Sequence, residues 1–185
     1  MNTRNKDSIS ITKPKLFVSA TVVCKTIITQ INTMENQNEK SIANLKHLLS
    51  ICNDGKEGYK TAAEDTDSPE LKTLFSMYSI QRAEYEMQLK KAIHQLGGDP
   101  DNDTGGPVGA LHRVWMDIKT AFTKNDDKAI LSACLTGEQS ALESYDKELQ
   151  DDGISPEIVE ILGEQRNGIS DCIKNIESLK TQYSS

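Results

Sequence analysis

From Ile42 to Leu179 apolar side chains recur three and four residues apart, and this period constrains the chain more than any other feature. Such spacing puts apolar groups on one stripe of an α-helix, which must then be buried against other helices. The first stripe is Ile42, Leu45, Leu49, Cys52, Tyr59 and Ala63, and it stops at Asp65-Thr66-Asp67. Ser68-Pro69-Glu70 restarts a helix: Ser as N-cap, Pro at the first helical position, and an acid facing the positive end of the dipole. That helix carries Leu71, Phe75, Tyr78, Arg82, Tyr85, Leu89, Ala92 and Leu96, and Gly97-Gly98 ends it with Pro100 beyond.

The same grammar repeats further on. Asn125-Asp126-Asp127 caps a helix with Leu131, Cys134, Glu138, Leu142, Tyr145 and Leu149, ending at Asp151-Asp152-Gly153. A second Ser-Pro-Glu, at 155–157, opens the last helix, with Ile158, Leu162, Gln165, Ile169, Cys172, Ile176 and Leu179. Between the two hairpins, residues 97–106 read as a solvated loop. Its acids lack the alternating ligands of a calcium loop. A short helix from Pro107 follows, with Val108, Leu111, Trp115, Ile118 and Phe122 on one stripe. About 16 residues of helix reach about 24 Å, enough to carry the chain back along a bundle. The spacing therefore predicts an all-α fold over residues 38–183. Two antiparallel hairpins are joined by a long crossover containing a short fifth helix, as in ferritin-like four-helix bundles.

Three seam positions that call for apolar residues are polar: Arg82, Glu138 and Gln165. Arg82 and Glu138 each lie about 20 Å from their turn, near mid-height, and Gln165 about one turn off that level. The phenols of Tyr59, Tyr78, Tyr85 and Tyr145 are placed to satisfy such a buried polar layer. Lys56 takes the corresponding place on the first helix, beside Gly55. Gly58, Gly137, Gly163 and Gly168 are further helix-interior glycines that can make room for large side chains.

Mid-height is where carboxylate-bridged metals sit in four-helix bundles, held by Glu residues and Glu-x-x-His pairs. The residues three before His47, His94 and His112 are Asn44, Lys91 and Gly109, so no Glu-x-x-His exists. The reading is a non-catalytic bundle, more a non-enzyme than an enzyme, in which Arg82 and Glu138 pair to fix helix register, with no metal or cofactor. The alternative is a carboxylate site of oxidase type for iron or manganese, with Glu138 as first candidate and Glu57, Glu64, Glu86 or Glu164 behind it. A third reading is a small-ligand carrier using the seam. Cys52, Cys134 and Cys172 show no C-x-x-C spacing and read as small packed hydrophobes. That fits a reducing cytoplasm. On the connector, His112, Arg113 and Trp115 are the candidate recognition residues.

A net charge of −7 and a pI near 5.0 argue against nucleic acid as a partner, and no run of about 18 apolar residues suggests a membrane span. A homo-oligomer stays open. Residues 1–33 hold five basic residues against one acid, whereas residues 34–185 hold 16 against 27. The N-terminal segment has basic residues, then an apolar stretch from Leu16 to Val23, then Cys24, which resembles a signal peptide. Val23 is too large for a lipoprotein site, and no A-x-A follows. Residues 1–37 are thus expected to form a disordered or signal-like N-terminal extension: residues 1–33 are an unstructured or artefactual stretch before a start at Met34, a targeting segment that would make the protein exported, or a docked strand or helix.

Four stretches resemble a known family: Asn53-Asp54-Gly55-Lys56-Glu57-Gly58-Tyr59, Ser79-Ile80-Gln81-Arg82, Leu96-Gly97-Gly98-Asp99-Pro100 and Ala110-Leu111-His112-Arg113-Val114-Trp115. Together they are similar to a bacterial four-helix-bundle family of unknown function, placed in the ferritin-like superfamily, some of whose members are labelled rubrerythrin-like. The resemblance covers residues 42–182. It implies a ferritin-like bundle in a bacterial cytoplasm and no known activity. A stress-related role follows from analogy with that superfamily.

Overall fold

The computed structural model describes residues 20–101, 126–151 and 153–183. Among these, four helices and no strand occur: α1 (Ala20–Asp65), α2 (Pro69–Gln95), α3 (Asp127–Glu148) and α4 (Pro156–Gln182). The expected connector helix from Pro107, with His112, Arg113 and Trp115, lies outside the described residues. Two units divide the chain, Met1–Glu35 and Asn36–Ser185.

The starts of α2 and α4 follow from their Ser-Pro-Glu signals. The hydroxyl of Ser68 accepts the Leu71 N–H at 3.3 Å, and Ser155 accepts that of Ile158 at 3.4 Å. Asp126 caps α3 by accepting the Ala129 N–H at 3.0 Å. At the end of α2, Gly97 takes φ +83°, a conformation that costs glycine little. The Gly97 and Gly98 N–H groups then bond the carbonyls of His94 (3.0 Å) and Ile93 (2.9 Å), a Schellman ending.

One boundary differs from the sequence expectation. The first helix was expected near Ile42 and begins at Ala20. No Gly or Pro occurs between Ala20 and Gly55, so nothing interrupts helical hydrogen bonding there. In the first unit, Thr26, Thr29 and Thr33 turn their hydroxyls back to the carbonyls of Val22, Lys25 and Thr29 at 2.8–2.9 Å.

Side-chain contacts fix the directions of the helices in the second unit. Thr66, just past α1, meets Asp127 at the start of α3 (2.5 Å), and Ser68 meets Tyr183 at the end of α4 (3.1 Å). At the other end, Asp151 after α3 holds Lys40 of α1 at 2.7 Å. So α2 and α3 start at the same end, and α1 and α4 run the opposite way. The interior forms two apolar clusters. One contains Leu45, Leu48, Leu89, Ile93, Ala141, Leu162 and Ile169 among others, and the second contains Ala62, Leu71, Phe75, Ile130, Leu131 and Ile176. Along α2 and α3, the clusters are separated at Arg82 and Glu138.

Candidate functional site

Between the clusters lies a group of buried polar side chains. Arg82 of α2 is buried, and its Nη2 donates to Glu138 Oε2 of α3. The other oxygen of Glu138 accepts the phenol proton of Tyr59 from α1 at 2.8 Å. Both carboxylate oxygens are thus engaged. The Arg82 stem runs beside Gly55, where an added Cβ would stand 3.4 Å from its Cδ. Its guanidinium carbon lies 5.3 Å from the centre of the Tyr85 ring, a cation–π distance. Nη1 of Arg82 is buried without a hydrogen-bond partner among the described residues.

Gln165 belongs to a neighbouring chain of bonds rather than to the ion pair. Its Nε2 faces the Tyr85 carbonyl oxygen at 3.4 Å, which orients the amide. Its Oε1 therefore accepts the Tyr145 phenol proton at 2.6 Å. Having spent its one proton, the Tyr145 oxygen accepts from the Cys52 thiol at 3.2 Å. The second proton of the Gln165 amide goes to Gln88 Oε1 at 2.6 Å. The order is Cys52, Tyr145, Gln165, Gln88, each donating to the next.

Tyr85 contributes its ring and backbone carbonyl. Its hydroxyl lies over Gly168 of α4, so close that a Cβ there would collide with it. Lys56 stays partly exposed and pairs with Glu86 at 2.8 Å, apart from Arg82. Tyr78 accepts from Asn175 at 3.3 Å. Glu57, Glu64 and Glu164 are exposed. Gln88 and Gln81, the latter accepting from Cys172 at 3.3 Å, were missed from sequence. Gln88 is an exposed residue one turn beyond Tyr85, and no apolar period marks it.

Burial and neighbouring charge keep the thiols, the phenols and Arg82 of this region protonated. Burial pushes the Cys52 thiol up to about 11, partly opposed by Arg82, and pushes Cys172 up to about 12. Cys134 is raised as well, by burial and then by Glu138. The phenols of Tyr59 and Tyr145 are raised by burial above all and stay protonated donors. Burial alone would lower the Arg82 pKa, but Glu138 foremost among its neighbours holds it well above the usual value. These thiols are neutral near pH 7 and shielded, which makes them poor nucleophiles. Among the described residues, no group of three or more His, Cys, Asp or Glu side chains is arranged to hold a metal. No described helix is long and apolar enough to cross a membrane.

No curated protein matches this chain. Residues 40–151, more than half of its length, match the family described as a domain of unknown function (DUF2383), and the chain belongs to that family.

Proposed function

We propose that this is a non-catalytic helical-bundle protein whose buried polar group sets how its helices register. The observation carrying this reading is Glu138, whose two oxygens are taken by Arg82 and Tyr59. Each oxygen of that carboxylate already accepts one hydrogen bond, so a redox ion would have to compete with both partners, and the guanidinium adds a positive charge where a cation would have to sit. A slip of one helix past another would strand a buried charge, a cost of several kcal/mol, so the pair selects one register. The reading includes a ferritin-like arrangement of two hairpins joined by a long crossover, supported by α2 and α3 starting at the same end. It also includes a cytoplasmic location, which the neutral, unpaired buried thiols favour. A stress-related role follows by analogy with ferritin-like proteins.

The test is elemental analysis of protein purified from its native host, beside the Glu138→Gln variant. Iron and manganese far below one per chain in both are expected. Stoichiometric metal that disappears with Glu138→Gln would overturn the proposal in favour of a carboxylate metal centre.

A further inference from the structure

The ion pair of the buried layer uses only one arm of its guanidinium. Nη2 of Arg82 takes Glu138 Oε2, while Tyr59 takes Oε1, the oxygen that a two-armed contact would give to the second arm. That second arm, Nη1, is buried with no hydrogen-bond partner among the described residues. The Arg82 side chain is 3% exposed, so bulk solvent does not reach it. A charged donor left dry in an apolar interior costs more than a water held beside it, and donors that protein contacts leave over are the usual seats of internal water. The first helix does not crowd this side of the guanidinium. It presents Gly55, whose added Cβ would find Cδ, Cγ and Nε of Arg82 as its nearest atoms at 3.4–3.5 Å, and the next side chain, Lys56, turns away to Glu86.

We propose that one internal water molecule is a fixed part of this layer, accepting from Arg82 Nη1 and donating to the Cys52 sulfur and to Glu138. An internal water needs two to four polar partners, and these groups supply them. Each Glu138 oxygen accepts one protein hydrogen bond and has a second lone pair. The thiol of Cys52 spends its proton on Tyr145, which leaves its sulfur as a weak acceptor. Cys52 lies within electrostatic reach of the guanidinium: burial raises its thiol, and Arg82 is the charge that most opposes the rise. The water therefore joins the Arg82–Glu138–Tyr59 group to the chain of Cys52, Tyr145, Gln165 and Gln88. Charge decides for water over an ion. Arg82 and Glu138 already cancel, so an anion would leave a buried negative charge uncompensated, with the Glu86 carboxylate acting on Cys52 from the same region. A cation would meet the guanidinium. This water rests on the ion pair of the proposed function and deepens the register reading, since a slipped helix would also lose the bridge.

The test is a high-resolution crystal structure of the reduced full chain grown in sodium bromide, beside oxygen-17 relaxation dispersion, which counts long-lived waters in solution. A fully occupied water within hydrogen-bond distance of Nη1, with no anomalous bromide signal there, is expected. In solution, Arg82→Met/Glu138→Leu should hold one long-lived water fewer than the parent, with circular dichroism reporting that the variant is folded. If that variant does not fold, the crystal of the parent decides alone. Nη1 bonded directly to a protein atom overturns the proposal, as does bromide at Nη1 or an equal count of long-lived waters in the parent and the folded variant. An intact ion pair without the water sinks this inference and leaves the proposed function standing. A metal on Glu138 with the ion pair broken sinks both.

Discussion

Arg82 and Glu138 face each other between two apolar clusters with side chains only 3% and 2% exposed. Each is the other's counterion, and Tyr59 completes the carboxylate. Removing one member strands the other. Arg82→Met or Glu138→Leu should each cost about 3–5 kcal/mol in urea denaturation followed by circular dichroism. The double substitution should recover most of the loss, because two apolar side chains need no partner and the orphaned Nη1 goes with the guanidinium. If the double variant is as unstable as the sum of the singles, the two residues do not act as a pair.

A second prediction separates two helix glycines on α4. At Gly163 an added Cβ meets nothing within 4 Å, so Gly163→Ala should stabilise by about 0.5–1 kcal/mol through helix propensity. Gly168→Ala runs into the Tyr85 hydroxyl and should destabilise despite the same gain. Tyr85→Phe removes that oxygen, so Gly168→Ala should cost much less in the Tyr85→Phe background. Denaturation midpoints of the four combinations measure the coupling, and additive effects would contradict the contact.

Alkaline pH should weaken the fold through its thiols. Cys52 is raised from 9.0 to about 11, chiefly by burial. Above the unfolded value the unfolded chain releases a proton that the folded chain keeps. The stabilisation is therefore complete below pH 9.0 and is lost as pH rises towards about 11. The slope is about 1.4 kcal/mol per pH unit for each such thiol. Cys172, raised to about 12, acts in the same direction. Stability measured from pH 8 to 10.5 should fall more gently in Cys52→Ala than in the parent.

Thiol reactivity gives a fourth check. Cys24 is exposed, and Cys52, Cys134 and Cys172 are buried. In dilute native protein, one thiol per chain should react rapidly with an aromatic disulfide reagent, and the other three only on unfolding. Tyr145→Phe should cost about 1–3 kcal/mol, because it deprives Gln165 of its donor and Cys52 of its acceptor at once.

Much of the architecture was legible along the chain. The two Ser-Pro-Glu starts, the Gly97-Gly98 stop and the apolar period each depend on residues within one or two turns, so local chemistry suffices to place them. The true start of α1 was not. Between residues 20 and 34 the apolar residues are interleaved with Thr, Gln and Asn, and residues 35–41 contain none, which breaks the periodic signal ahead of Ile42. Yet the segment lacks any breaker, and helix propagates through it. Arg82, Glu138 and Gln165 stood out as polar residues in apolar phase. Gln88 and Gln81 did not, because their partners come from α4, far away in sequence.

By itself, then, the sequence determined where the helices start and stop in the second unit and which stripe of each is buried. Those depend on backbone caps and on a period shared by near neighbours. Which polar groups meet was decided only by tertiary structure: Arg82 with Glu138 and Tyr59, Gln165 with Tyr145 and Gln88, Lys56 with Glu86. A hydrogen bond needs its atoms within about 3 Å. Helix periodicity fixes a side chain's direction but not the height and rotation at which a neighbouring helix presents its partner.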